Sequence, residues 1–161
     1  LIKKNNKKVA LDTSGKALVA AIDCQPWMIK PNTDELVESY QRPATSYAEQ
    51  RKLFDSLTNI EHVVISMGED GVNWLHSTHP LHAQVPKVIV KSTVGAGDSL
   101  LAGMIHGLVN QLPPEETLKT ATAIASHAVT QIGFRIPTSE VLNQLKAQTI
   151  INSLSESDAN C

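Results

Sequence analysis

Aromatic residues are scarce in this chain: two Trp, two Tyr and two Phe make up 4% of 161 residues. Its core must therefore be built from the aliphatic side chains that dominate the 42% hydrophobic content. Cysteine is scarcer still, and Cys24 and Cys161 stand far apart without a pattern. That argues against a disulfide scaffold and fits a reducing, cytoplasmic compartment. Neither sign of charge dominates, with 14 Lys+Arg against 16 Asp+Glu and a formal net charge of -2. Such a balance gives no basic footprint for nucleic acid or an anionic membrane, so neither is expected as a partner. No apolar run approaches the ~20 residues of a membrane span. The basic start Leu1–Lys8 also lacks the apolar stretch that follows it in a signal peptide. One soluble domain with an aliphatic core is the expectation, since ~100–150 residues suffice for one.

Hydrophobic patterning alternates between two periods. Val9–Leu11 and Trp27–Ile29 are short apolar runs stopped by Asp12–Gly15 and by Pro31, with helical spacing over Lys16–Ile22 between them. Thr33–Tyr40 and Ser46–Leu57 read as helices parted by Pro43, and His62–Ser66 reads as a buried, β-branched strand. Beyond the turn Gly68–Gly71, the segments Val72–His76, Leu81–Val85 and Lys87–Lys91 read as short extended pieces. Asp98–Val109, Pro114–Thr130 with proline at its start, and Thr138 to Leu154 read as helices. The polar tail Ser155–Cys161 is expected to fray. Strands and helices that alternate with short connections predict an α/β fold, a mostly parallel sheet flanked by helices over 1–154. Ligands of such sheets bind beyond the carboxyl ends of the strands.

The most informative run is Ser92–Leu100, STVGAGDSL. Gly95, Ala96 and Gly97 carry little or no side chain, so backbone N–H groups can approach a ligand closely. A helix starting near Asp98 would aim its unpaired N–H groups and positive dipole end at that loop, a setting that suits phosphate. The carboxylate of Asp98 would repel the same phosphate unless it takes a proton from an attacking hydroxyl. The structural alternative is an ordinary N-cap with glycines forming a turn. The loop has no Gly-Lys-Ser/Thr ending and no third glycine of a dinucleotide fingerprint, which sets aside those two nucleotide sites.

Two further motifs precede it. Lys30–Leu36 reads KPNTDEL, where Asn32 and Glu35 share a side of a first helical turn and Lys30 is a cation at a strand end. A capping arrangement would explain the same pair. Ser66–Gly71 reads SMGEDG, a turn whose Glu69 and Asp70 should face solvent, although Asp-Gly is also a hairpin signal. His76, His79 and His82 invite a metal reading, but Pro80 interrupts them and an extended chain would not place all of them on one face. His106 and His127 fall in helices as packing or surface residues, and Trp27 and Trp74 read as core anchors.

GAGDSLLAG resembles the second signature of the pfkB, or ribokinase-like, family of carbohydrate kinases, and KPNTDEL and SMGEDG stand in that family's order. The resemblance implies a ribokinase-like fold with Asp98 as catalytic base and Gly95, Ala96 and Gly97 as the anion hole. It implies that Asn32 and Glu35 orient Mg²⁺ of MgATP through water. It further implies that Lys30, Ser66, Met67, Gly68, Glu69, Asp70, Gly71, Gly97 and Asp98 bind ATP. The implied reaction is ATP-dependent phosphorylation of a phosphosugar hydroxyl, with fructose 1-phosphate favoured by LDTSGKAL and PWMIKPN and with tagatose 6-phosphate and fructose 6-phosphate as alternatives. In the family these motifs lie in the second half of the enzyme, which implies a C-terminal piece, inactive alone, of an enzyme able to form a homodimer. A non-catalytic nucleotide-binding remnant is the reading of another class. Ile132–Pro137 (IGFRIP) departs from the family's smaller Gly-rich turn, so adenine contacts and a monovalent cation stay open there.

Overall fold

The structure, a computed structural model, describes residues 7–57, 59–133, 135–155 and 158. Phe134 and most of the 155–161 tail lie outside the described residues. The chain divides into two compact units, one of Leu1–Met67, Asn73–Pro80 and Leu154–Cys161, the other of Gly68–Val72 and Leu81–Ser153.

In the first unit, strands β1 (Ala10–Leu11), β2 (Met28–Ile29) and β3 (His62–Ser66) run parallel in that order, with Ala10 opposite Met28 and Met28 opposite His62. Strand β4 (Val72–Leu75) lies next to β3, and the connection between them is too short for a parallel crossover. Helices α1 (Gly15–Ile22), α2 (Thr33–Tyr40) and α3 (Tyr47–Ser56) supply the cover. Leu18, Leu36, Leu53 and Phe54 from these helices meet Ile29, Val63, Ile65 and Leu75 from the strands in one aliphatic cluster. The α2 and α3 starts are each closed by a capping box, Asn32 with Glu35 and Ser46 with Glu49.

In the second unit, strand β5 (Leu81–Gln84) pairs antiparallel with β6 (Ile150–Ser153), and the helices are α4 (Ala96–Val109), α5 (Pro114–Val129) and α6 (Ser139–Gln148). Two expectations are corrected here. The helix expected to run to Leu154 ends at Gln148, because Thr149, Ile150 and Ile151 are β-branched residues that fit a ladder better than a helix, and β5 offers them a partner. Lys87–Lys91 is not a strand; the N–H groups of Lys91 and Ser92 donate instead to the Val129 carbonyl at 2.7 and 3.2 Å. That bond ties the loop before α4 to the carboxyl end of α5.

Helices α4 and α5 pack with their backbones close together. A Cβ added to Gly103 would lie 2.5 Å from the Ala121 Cα, and one added to Gly107 would lie 2.5 Å from the Thr117 Cγ2. Gly103→Ala is therefore expected to lower Tm. Overpacking costs typically ~1–3 kcal/mol, whereas the gain in helix propensity returns at most about 1 kcal/mol. Thermal denaturation checks this, and an unchanged or raised Tm would show that the helices can part without loss.

Candidate functional site

The carboxyl ends of β1, β2 and β3 gather the first unit's polar motif residues. Lys30 ends β2 with only 5% of its side chain exposed, and its Nζ meets Asp12 Oδ2 at 3.2 Å. The cation expected at a free strand end is thus buried and paired, with an acid that sequence reasoning passed over although it stands directly after β1. One residue pair on, Asn32 and Ser66 form a parallel bridge, and the Ser66 N–H donates to the Pro31 carbonyl at 3.2 Å. KPN and the start of SMGEDG are therefore side by side. The Asn32 N–H donates to Glu35 Oε2 and the Glu35 N–H to Asn32 Oδ1, both at 2.8 Å, so the capping alternative is realised. Glu35 Oε1 remains without a hydrogen-bond partner among the described residues.

Met67 is held from behind by Gln50, a fully buried amide in the middle of α3. Its Nε2 donates to the Ala44 carbonyl at 3.0 Å and to Met67 Sδ at 3.3 Å, and its Oε1 accepts from Asn73 Nδ2 at 2.7 Å. A polar residue on a helix face gave no sequence signal for this role. The remainder of SMGEDG belongs to the second unit, where Gly68–Asp70 makes a turn of 3-10 helix and Glu69 and Asp70 are exposed, as expected.

The GAGD loop folds differently in detail from its sequence reading. The left-handed residue is Gly95, at φ 83°, while Gly97 lies inside α4, which begins at Ala96. Asp98 falls within the first turn of the helix and makes no cap. Its carboxylate has no hydrogen bond or ion pair among the described residues. The Ala96 N–H donates to the Thr93 carbonyl at 3.3 Å, but the N–H groups of Gly97 and Asp98 have no partner among those residues. A cavity of about 260 Å³ opens here, lined by Val94, Gly95, Asp98, Ala128, Gly133 and Arg135. Asp98 thus brings to the cavity wall a carboxylate and an N–H without partners among the described residues, at the positive end of the α4 dipole.

A second titratable cluster sits at the amino ends of the strands. Glu61, His62 and His76 bring possible ligand atoms within 4.8 Å of one another, whereas His79 and His82 take no part. His62 is buried between Trp27 and Trp74, at ring distances of 5.0 and 5.5 Å, and stacks on His76 at 5.2 Å. The indole of Trp74 donates to His62 Nδ1 at 3.3 Å, so the neutral ring carries its proton on Nε2. That proton faces Glu61 Oε1 at 3.3 Å without the alignment of a hydrogen bond, and a protonated nitrogen is no metal ligand. The cluster is an aromatic box with a trapped neutral imidazole.

The comparisons with known proteins bear out the family resemblance. The pfkB family carbohydrate kinases match residues 1–141, and the chain belongs to that family. The 1-phosphofructokinase of Vibrio cholerae is 43% identical over 155 residues, covering 95% of this chain and 49% of that protein. That of Escherichia coli K12 is 40% identical over 125 residues, covering 76% of this chain and 40% of that protein. The crystal structure of Escherichia coli phosphofructokinase-2 in complex with substrates and products superposes with a TM-score of 0.80 at 30% identity, over 90% of this chain and 48% of that one. The chain spans about half the length of the relatives it matches.

Burial pushes the His62 pKa down to about 4, more than the nearby Glu61 carboxylate raises it, and burial lowers His76 as well. An unfolded chain protonates these rings near the ordinary histidine value of about 6.5, while the folded chain keeps His62 neutral further down. The unfolded state therefore binds more protons between those limits, and stability present at pH 7 is lost as pH falls from about 6.5 toward 4. Thermal melts from pH 7.5 to 4.5 should show Tm falling through that window, with a shallower slope in His62→Gln. Equal slopes in both proteins would remove His62 as the cause.

Proposed function

We propose that this chain carries the phosphoryl-transfer machinery of a sugar-phosphate kinase acting on fructose 1-phosphate. The observation that carries the proposal is the Asp98 carboxylate at the cavity wall, without a partner among the described residues, on a helix start where the N–H groups of Gly97 and Asp98 have none either. An acid used as a cap would be bonded to the helix; this one is available to a substrate. Support for the sugar comes from the names of the Vibrio and Escherichia relatives, both 1-phosphofructokinases.

In the proposed reaction Asp98 accepts the proton of the sugar hydroxyl as its oxygen forms the new bond to the γ-phosphorus of ATP. The bond from that phosphorus to the bridging oxygen breaks, and ADP leaves with the electron pair. The amides at the α4 start stabilise charge on the moving phosphoryl group, which is the main demand of such a transfer. Gly68–Gly71 would turn around the nucleotide, and Lys30, charge-paired with Asp12, would supply a cation for a nucleotide phosphate. Mg²⁺ supplies neutralisation of the phosphate oxygens when bound. The residues fit a hydrated Mg²⁺: Glu35 spends Oε2 on the cap and keeps Oε1, a hard oxygen, for a metal-bound water, with Asn32 beside it.

Asp98→Asn, made in a kinase of full family length that carries this chain, is expected to lower kcat by ~10²–10⁴-fold while nucleotide affinity changes little. Steady-state kinetics and ATP titration measure both, and a kcat within a few-fold of wild type would overturn the assignment.

Glu35→Gln separates metal from cap. The amide oxygen can still accept from the Asn32 N–H, so the stability loss is confined to the dipole contribution of about 0.3–1 kcal/mol. The Mg²⁺ concentration for half-maximal activity is expected to rise. An unaltered Mg²⁺ dependence alongside a lower Tm would leave Glu35 as a cap alone.

A further inference from the structure

We propose that Arg135 is a phosphate-binding residue of the second unit's cavity, its guanidinium holding phosphoryl oxygens across from Asp98. The inference rests on the kinase reading above and adds a residue that none of the sequence motifs contains.

Arg135 and Asp98 line the same cavity of about 260 Å³. They do not pair with each other, and Arg135 makes no ion pair or hydrogen bond with any described residue, unlike Lys30, Arg51 and Lys146. A residue that carries a cation and one that carries an anion therefore line one cavity without pairing. The cavity is smaller than the ~300–1,000 Å³ of whole-ligand pockets, a size for a phosphoryl group rather than a nucleotide.

Electrostatics calls for such a cation. The orphan amides of α4 attract a phosphate, but the Asp98 carboxylate at the same wall repels it. A positive side chain at the same cavity would offset that repulsion and leave the carboxylate ionised for its proton. A guanidinium suits the task because its planar fork bonds two phosphate oxygens at once and it stays charged at any working pH. The backbone is shaped for this placement: Gly133, at φ 80°, turns the chain after α5 and itself lines the cavity with Ala128. The bulk that makes IGFRIP unusual thus brings a charge to the site.

Both reactants carry phosphate, so the test has two arms. In a kinase of full family length carrying this chain, KM for ATP and KM for fructose 1-phosphate are measured for wild type, Arg135→Gln and Arg135→Lys. Loss of a charge-assisted bidentate contact is expected to raise one of the two KM values by about tenfold or more in Arg135→Gln, with Arg135→Lys intermediate. The KM that moves identifies whose phosphate is held. Both KM values within twofold of wild type, with Asp98→Asn still inactive, would overturn the role of Arg135 and leave the kinase reading intact. If wild type transfers no phosphoryl group, the kinase reading fails by itself, and calorimetric titration with pyrophosphate decides the residue. Weaker pyrophosphate binding by Arg135→Gln then supports an anion site, and equal binding overturns it. Arg135 is exposed, so circular dichroism should show both variants folded.

Discussion

The close contact of α4 with α5 is the constraint from which the second unit's cavity follows. Gly103 and Gly107 bring the helix backbones to distances that a single Cβ would violate. Fixing the two helices fixes their ends, and the cavity is assembled from those ends: Gly95 and Asp98 where α4 begins, Ala128, Gly133 and Arg135 where α5 finishes and the chain turns away. The bonds from Lys91 and Ser92 to the Val129 carbonyl add a strap between the same two ends. In the proposed reaction that orientation would count, since amides held by packing need not reorganise as charge develops. A glycine inside a helix costs ~0.5–1 kcal/mol relative to alanine. Here that cost is offset by a contact no other residue allows.

The first unit solves a related problem with charge. Lys30 is nearly excluded from solvent, and an unpaired ammonium there would be expensive. Asp12, at 30% exposure, neutralises it from the next strand end while remaining in touch with water. Asn32 and Glu35 show how one pair serves two ends. The capping box uses one oxygen from each side chain and leaves Glu35 Oε1 without a partner among the described residues. Cap and metal partner are thus compatible readings, and choosing between them was never required by the residues.

Much of this was legible in the chain because the signals were local. KPN, SMGEDG and GAGD fall after a strand or before a helix in the structure as their turn residues require, and the parallel order of β1, β2 and β3 follows from the strand–helix–strand spacing. The failures share a cause: each depended on a partner distant in sequence. Ile150–Ser153 becomes a strand because β5 accepts it, the end of Lys87–Lys91 turns from strand pairing to α5 as the Lys91 N–H bonds the Val129 carbonyl, and Lys30 is buried because Asp12 makes that tolerable. The exact turn geometry of GAGD was also out of reach. Gly95 and Gly97 look equivalent on paper, and only the backbone shows that the left-handed conformation falls on the first.

The strands of the first unit keep two chemistries apart. At their carboxyl ends Lys30 pairs with Asp12 and Asn32 with Glu35, whose Oε1 has no partner among the described residues. At their amino ends His62 is enclosed by Trp27, Trp74 and His76, with the Lys8 ammonium 4.3 Å above the Trp27 ring. Histidines and a carboxylate in close proximity look like a metal centre when judged by residue type alone. Here the hydrogen-bond direction decides otherwise, since an indole can only donate and so fixes which imidazole nitrogen holds the proton. Among the described residues, the two tryptophans of an aromatic-poor chain are both spent on closing that end of the sheet, while the polar motif residues gather at the opposite end.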